Sequence, residues 1–267
     1  MRPVRLIGLP TDINSSFLRG AAAAPPLIRA ALLSDMGNPA AECGLELGRD
    51  IPFEDLGDLP LTEDCAADDA RIVAAVRDAC AGGGVPICLG GDHAVTYPVL
   101  RGIAAVHGLV AILHIDAHSD CYDELGGNRR SHASPFARIM EDGLATRLVQ
   151  VGIRTLNAHQ AAQVARFGIE VVPMRDFTPA GVPVPAGPLY LSVDLDGLDP
   201  AFAPGVAHHE PGGLSTRQLL DLIARIPGPL VGADIVELNP ARDLNGMTAT
   251  VAAKLVKEIA ALAQRTG

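Results

Sequence analysis

Short apolar runs alternate along the chain with segments in which apolar residues recur at helical spacing. The short runs are bounded by Gly, Pro or charged residues, which is typical of buried strands. This alternation predicts a three-layer α/β/α fold, in which helices cover both faces of a central, mostly parallel sheet. The predicted strands are Val4–Leu9, Val85–Leu89, Val110–Ile115, Leu148–Ile153, Ile169–Pro173, Leu189–Val193 and Leu230–Val236.

Helical periodicity fills most of the intervals between these strands. No internal repeat or low-complexity linker interrupts the alternation, and we interpret the Pro-rich stretch Pro179–Pro188 as a loop. A chain of 267 residues suits one α/β domain, so we predict a single domain over residues 1–267. The predicted helices are Pro25–Ser34, Asp64–Ala81, Val95–His107, Ser134–Glu141, Ala158–Phe167, Thr216–Ile226 and Thr248–Gln264.

Three predicted strands end in polar residues that can ligate a metal ion. The motif GGDH follows the Val85 strand, DAHSD follows the Val110 strand, and SVDLDGLDP completes the Leu189 strand. Because parallel strands bring their carboxyl ends to one edge of a sheet, we expect these side chains to converge there. Asp and Gly are also common in turns, but carboxylates crowded together need cations to stay ionised. The candidate metal ligands are His93, Asp116, His118, Asp120, Asp194 and Asp196.

The number and type of these ligands narrow the choice of metal. Four carboxylates balance two divalent ions, and six ligands suit a bridged pair of ions roughly 3.5–4 Å apart. Carboxylate and imidazole without thiolate favour Mn²⁺ over Ca²⁺ or a structural Zn²⁺. We therefore expect two Mn²⁺ in each chain, with cobalt, nickel and iron as alternatives.

Composition and charge exclude some partners and favour others. The net charge is −10 and no Lys/Arg cluster goes beyond Arg129-Arg130, so we do not expect a nucleic-acid partner. No run approaches the roughly 18 apolar residues of a membrane span. An acidic chain attracts a cationic substrate.

The five cysteines are odd in number and form no C-x-x-C motif, and the N-terminus lacks the apolar stretch of a signal peptide. We therefore expect a reducing, cytoplasmic location.

The ordered set GGDH, DAHSD and SVDLDGLDP resembles the motifs of the arginase/agmatinase (ureohydrolase) family. The segments SHASPFARIM, DPAFAPGVAHHEPGGLS and GADIVELNPARD are similar to plant-type arginases. The likeness extends from Cys88 to the C-terminal helix, whereas the first 80 residues add little. The resemblance implies a sheet of about eight strands, two Mn²⁺ on the six ligands named above, and a homotrimer or homohexamer.

The resemblance also implies the reaction and two further site residues. His132 matches the family histidine that shuttles protons, and Glu237 matches the acid that contacts the guanidinium. The expected substrate is a small cationic guanidino compound, and the expected reaction is hydrolysis of L-arginine to L-ornithine and urea. A guanidinium is a poor electrophile, so water activated by two metal ions is required. Asp120 could accept a hydrogen bond from that water, Glu237 could pair with the planar cation, and His132 could protonate the leaving amine.

Three alternatives stay open at this stage. Within the class, the substrate could be agmatine, which yields putrescine and urea, or another guanidino acid. A non-catalytic metal-binding homologue is disfavoured because every ligand, His132 and Glu237 are present. A deacetylase-like amide hydrolase would use one metal, and the six intact ligands argue against it.

The segment before His132 is the candidate for binding the tail of the substrate. It departs from the Asn-rich pattern of animal and bacterial arginases, so their specificity is not carried over. Asn128, Arg129 or Arg130 could bind the carboxylate that arginine has and agmatine lacks. Asp123 or Glu124 could instead pair with a free amine, which would suit agmatine.

Overall fold

The predicted apolar runs form one parallel sheet in the computed structural model, which describes residues 1–265. Every pair of neighbouring strands is parallel, and the strand order is β2-β1-β3-β8-β7-β4-β5-β6. The strands are β1 (Val4–Leu9), β2 (Phe53–Asp58), β3 (Val85–Gly90), β4 (Val110–Ile115), β5 (Ala145–Ile153), β6 (Glu170–Pro173), β7 (Leu189–Asp194) and β8 (Leu230–Val236).

Helices cover both faces of this sheet. Alternate strand residues point to opposite faces, so Leu6 and Ile7 of β1 enter separate apolar clusters. The helices are α1 (Ala24–Leu32), α2 (Cys65–Ala79), α3 (Thr96–His107), α4 (Pro135–Glu141), α5 (Ala158–Phe167), α6 (Thr216–Arg225) and α7 (Met247–Leu262). Helices α1, α6 and α7 pack together over the Leu6 cluster, and α2, α3 and α4 pack over the Ile7 cluster. The three-layer α/β/α architecture is therefore confirmed.

Strand β2 was not predicted from the sequence. Its residues, FEDLGD, are mostly exposed, because β2 lies at the edge of the sheet and pairs only with β1. Charged side chains are typical of edge strands, where they discourage pairing with a second chain. None of the helices within residues 1–265 is long and apolar enough to cross a bilayer.

The turn after β3 approaches the N-terminal segment closely. A Cβ on Gly91 would lie 1.7 Å from the carbonyl oxygen of Thr11, so only glycine fits there. The backbone N–H of Asp92 donates to the same carbonyl of Thr11, at 3.0 Å. The second glycine of the GGDH motif thus allows the residues that follow β1 to lie against the carboxyl end of β3.

Candidate active site

The carboxyl ends of β3, β8, β7 and β4 lie side by side in the middle of the sheet. His93 follows β3, Asp116 follows β4, Asp194 ends β7 and Glu237 follows β8. Each of these side chains is buried. The topology therefore brings together residues that are far apart in the sequence.

Four of the predicted ligands form one compact group around the imidazole of His93. Its Nδ1 lies 3.2 Å from an oxygen of Asp116, 3.0 Å from one of Asp120 and 3.1 Å from one of Asp194. None of these contacts has hydrogen-bond geometry, so the fully buried Nδ1 has no hydrogen-bond partner within residues 1–265. A buried nitrogen lone pair facing three carboxylates is the donor arrangement of a metal site.

Asp116, His118 and Asp196 form a second group with ligand spacing. Nδ1 of His118 lies 3.1 Å from Asp196 and 3.4 Å from Asp116. Asp116 belongs to both groups, and the ligand atoms of each group lie within 4.8 Å of one another. The six predicted ligands are thus arranged as two sets that share one carboxylate.

Electrostatics at this site favour bound cations. Burial, together with the charges of Asp196 and Asp116, raises the pKa of Asp194 well above its usual range. Burial and Asp116 likewise raise the pKa of Asp196 to about 7. A divalent ion that binds Asp194 and Asp196 would therefore compete with protons for these two carboxylates. The donor set fits a metal centre on these grounds.

Two site residues have strained backbones. Asp120 has φ of 46° and Glu237 has φ of 66°, a left-handed conformation that costs a non-glycine residue on the order of 1 kcal/mol. The backbone N–H of Glu237 donates to the carbonyl of Gly91 at 2.9 Å, and the carbonyl of Asp120 accepts from the N–H of Phe136 at 3.1 Å. These bonds hold both residues in conformations that aim their carboxylates into the site.

His132 and Glu237 form a pair beside the two ligand groups. Nδ1 of His132 lies 2.8 Å from Oε1 of Glu237, and its Nε2 lies 2.8 Å from the hydroxyl of Ser16. Burial alone would lower the pKa of His132, but the carboxylates of Glu237, Asp120 and Asp92 together outweigh burial and raise it to about 9. The backbone N–H of His93 also donates to Oε1 of Glu237, at 2.8 Å. Both bonds fall on Oε1, which leaves Oε2 for another donor.

A cavity of about 550 Å³ opens above these residues. Glu237 and His132 line it together with the ligands Asp120, Asp194, Asp196 and His118. His208, which the sequence places in a Gly/Pro-rich loop, also lines the cavity. Its ring centroid lies 5.3 Å from that of His132 and 5.9 Å from that of His118. The far wall consists of Tyr122, Leu125, Thr155, Leu156, Asn157 and Gln160.

A family model described as "Arginase family" matches residues 2–261. The chain belongs to the arginase family. It is therefore a ureohydrolase, a hydrolase that acts on guanidino compounds, and the resemblance inferred from its motifs is confirmed. Arginase-family proteins bind a metal centre, and the two ligand groups described above are candidates for it.

Plant arginases are among the most similar relatives. The chain is 48% identical to Arginase 1, mitochondrial, of Arabidopsis thaliana, over 96% of this chain and 80% of the relative. The solved structure of arginase from Medicago truncatula is 41% identical and superposes with a TM-score of 0.92, covering 98% of this chain and 87% of that one. An agmatinase, mitochondrial, of Gallus gallus is 36% identical, over 95% of this chain and 78% of the relative.

The names of the relatives contradict the expected cytoplasmic location. The plant arginases are named mitochondrial or chloroplastic/mitochondrial, so the cytoplasmic prediction is wrong. The cysteine pattern indicates a reducing environment and does not distinguish the cytosol from the interior of an organelle. The homotrimer or homohexamer implied by the motifs stays a prediction.

The arginase-family site includes residues that the sequence did not single out. Ser16 and Asn14 come from the segment after β1, within the first 80 residues, which add little to the family resemblance. The carbonyl of Asn14 accepts from the N–H of His132 at 3.1 Å. Arg154 donates to the carbonyls of Asp196 at 2.7 Å and Glu210 at 2.6 Å, and thereby joins two loops of the cavity wall. These contacts span long sequence separations, and no local motif marks them.

The structure does not place the proposed tail-binding residues at the cavity. The side-chain amide of Asn128 donates a hydrogen bond to Oδ1 of Asn14 at 3.1 Å, and Asn128 does not line the cavity. Arg129 pairs with Glu141, and Arg130 pairs with Asp69 at 2.7 Å. The tight turn around Gly126 and Gly127, closed by Leu125 and Asn128, directs these side chains away from the ligand groups. A role for Asn128, Arg129 or Arg130 in carboxylate recognition therefore has no support in the geometry.

Proposed function

We propose that this chain is a binuclear manganese ureohydrolase whose preferred substrate is L-arginine, which it converts to L-ornithine and urea. The observation that carries the proposal is the pair of ligand groups that share Asp116 beneath the cavity. His93, Asp116, Asp120 and Asp194 would hold one ion, and Asp116, His118 and Asp196 the other. Imidazole and carboxylate donors without thiolate suit Mn²⁺.

Within this site the ions would supply Lewis-acid chemistry that makes water nucleophilic near neutral pH. Glu237 binds and orients the guanidinium, because its Oε2 is free while Oε1 is held by His93 and His132. Asp120 accepts a hydrogen bond from the attacking water. These residues place the guanidinium carbon within reach of that water.

His132 moves the proton that the leaving amine needs. Its Nδ1 faces Glu237 and the reacting groups, and its Nε2 faces Ser16 at the exposed side. The ring donates a proton from Nδ1 to the departing nitrogen. Nε2 keeps its own proton, which it donates to the Ser16 hydroxyl, and Nδ1 is protonated again by the proton that the attacking water releases. Urea then leaves as a neutral molecule and ornithine as a cation, so the positive charge of arginine is conserved through the C–N cleavage.

The far wall of the cavity supports arginine as the preferred substrate. Asn157 and Gln160 lie at the N-terminus of α5, and both line the cavity. A helix N-terminus carries partial positive charge and favours an anion. Oε1 of Gln160 accepts from the N–H of Asn157 at 3.3 Å, which leaves its side-chain N–H groups for a carboxylate. Arginine has that carboxylate and agmatine lacks it.

Agmatine is the second candidate. Glu210 lines the same cavity and could pair with the free amine, which agmatine and arginine both carry. The similarity to a Gallus gallus agmatinase also keeps this substrate open.

Comparing substrates for urea release by the Mn²⁺-loaded protein tests the assignment. We expect kcat/KM for L-arginine to exceed the values for agmatine, guanidinobutyrate and guanidine.

Gln160→Glu keeps the helix-capping oxygen but repels a carboxylate, so it should lower kcat/KM for arginine by roughly tenfold or more and leave kcat/KM for agmatine unchanged. Ala162→Glu, an exposed position outside the cavity on the same helix, is the charge-matched control. Faster turnover of agmatine by the unmodified protein would overturn the choice of arginine.

A further inference from the structure

His114 lies next to the candidate ligands without being one of the six. It is the fifth residue of β4, and its ring is fully buried. Its Nε2 lies 2.8 Å from Oδ2 of Asp116, and its Nδ1 lies 3.1 Å from Nε2 of Gln150 in β5. Both ring nitrogens therefore have a polar partner, in contrast to the unpartnered Nδ1 of His93.

Gln150 determines which nitrogen of His114 carries the proton. Its Oε1 accepts from the hydroxyl of Ser119 at 2.7 Å, and its Nε2 donates to the carbonyl of Ser119 at 2.6 Å. These two bonds fix the orientation of the amide. An amide nitrogen only donates, so Nδ1 of His114 must accept from it. The ring proton of a neutral His114 then sits on Nε2 and is donated to Asp116.

Asp116 consequently receives one hydrogen bond on each oxygen. His114 donates to Oδ2, and the backbone N–H of His118 donates to Oδ1 at 2.6 Å. A carboxylate oxygen has two lone pairs, so each oxygen keeps one for a further partner. Asp116 is the residue shared by the two ligand groups. A carboxylate that bridges two ions needs one free lone pair on each oxygen, and Asp116 keeps one on each.

We propose that His114 is a positioning residue, held in its Nε2–H form by Gln150 and Ser119, that orients Asp116 to bridge the two metal ions. The proposal rests on the ligand role proposed above for Asp116. The competing interpretation is that His114 binds metal itself, since His93, His114 and Asp116 are close enough to hold an ion. In that case Nε2 would have to lose its proton, and the bond to Asp116 would be lost.

The protonation form of His114 can be measured without metal. A long-range ¹H–¹⁵N correlation spectrum of the metal-free protein reports which nitrogen of each ring is protonated, and the signals missing from His114→Phe identify His114. We expect a protonated Nε2 and an accepting Nδ1, and we expect this form to persist when diamagnetic Zn²⁺ is added. A proton on Nδ1 would overturn the proposal, and so would loss of the Nε2 proton on adding Zn²⁺.

Calorimetric titration with Mn²⁺ tests the effect on the ligand. His114→Phe keeps a ring in contact with Phe136, whose centroid lies 4.0 Å away, but removes the donor to Asp116. We expect Mn²⁺ affinity to fall roughly 10–100-fold, as for other partners of metal ligands. Phe136→Leu disturbs the same packing without removing the hydrogen bond, and should bind Mn²⁺ within a few-fold of the parent. Equal losses in both variants, or none in His114→Phe, would overturn the proposal.

The two measurements separate this proposal from the proposed function. If the unmodified protein binds no divalent ion, the binuclear assignment fails, whatever form His114 takes. If it binds Mn²⁺ and releases urea while His114 shows the other protonation form, the positioning role alone fails.

Discussion

Asp116→Asn is expected to empty the metal site and abolish most of the activity. Asp116 is fully buried and belongs to both ligand groups, so the amide removes the negative charge that the two groups share and replaces one of its two ligating oxygens by a nitrogen. The protein reconstituted with Mn²⁺ should lose most of both ions by elemental analysis. Its urea release from L-arginine should fall by roughly a thousandfold or more, since water is no longer activated.

The matched control for this variant is Asp68→Asn. Asp68 in α2 is also a buried aspartate, but it accepts hydrogen bonds from Thr62 and Arg71 and does not line the cavity. It should lose some thermal stability and keep its metal content. Retention of both ions and of activity in Asp116→Asn would remove the basis for a bridged pair.

His132→Ala is expected to slow the chemistry while leaving the metal ions in place. The imidazole contacts Glu237 and Ser16, and no predicted ligand lies within hydrogen-bond distance of it. Loss of a general acid of this kind lowers kcat by roughly 10²–10⁴-fold. Steady-state urea release gives kcat, and elemental analysis of the same sample gives the metal content.

His107→Ala serves as the control, because His107 ends α3 and lies outside the cavity lining. Its kcat should match that of the parent. A His132→Ala protein that loses Mn²⁺ would show that the residue is a ligand. An unchanged kcat would show that the leaving amine takes its proton from elsewhere.

The buried centre of the fold was predictable from the sequence for a physical reason. Strands covered on both faces are largely apolar, and β3, β4, β7 and β8 therefore stand out in the sequence as short apolar runs. In a parallel sheet the residues directly after each strand lie at the same edge of the sheet. Convergence of the ligands can therefore be predicted without knowledge of the strand order. Edge strand β2 has no such apolar run and was missed.

The residues that line the cavity around the metal ligands were less predictable from the sequence than the ligands themselves. Ser16 lies in the loop after β1 and Gln160 in the first turn of α5, more than a hundred residues further along the chain. Both line the cavity, and neither belongs to a motif. From the sequence, Arg129 and Arg130 are candidates to bind the substrate carboxylate, because they are cations close to His132. In the structure they are paired with Glu141 and Asp69, contacts that only the tertiary packing determines.

The strained conformations of Asp120 and Glu237 were also invisible in the sequence. Gly, Asn and Asp all favour left-handed backbone, but the DAHSD motif does not show which of its two aspartates adopts it, and Glu gives no such signal. Hydrogen bonds from distant segments hold both residues, so the strain is visible only in the folded chain.

Titration of the metal-free protein with Mn²⁺, with bound ions and urea release from L-arginine measured on the same samples, tests the binuclear ureohydrolase assignment most directly. We predict that the rate of urea release rises as the second ion binds and reaches a plateau at about two ions per chain. Full activity with a single bound ion, or no urea from any guanidino compound at full metal occupancy, would contradict it.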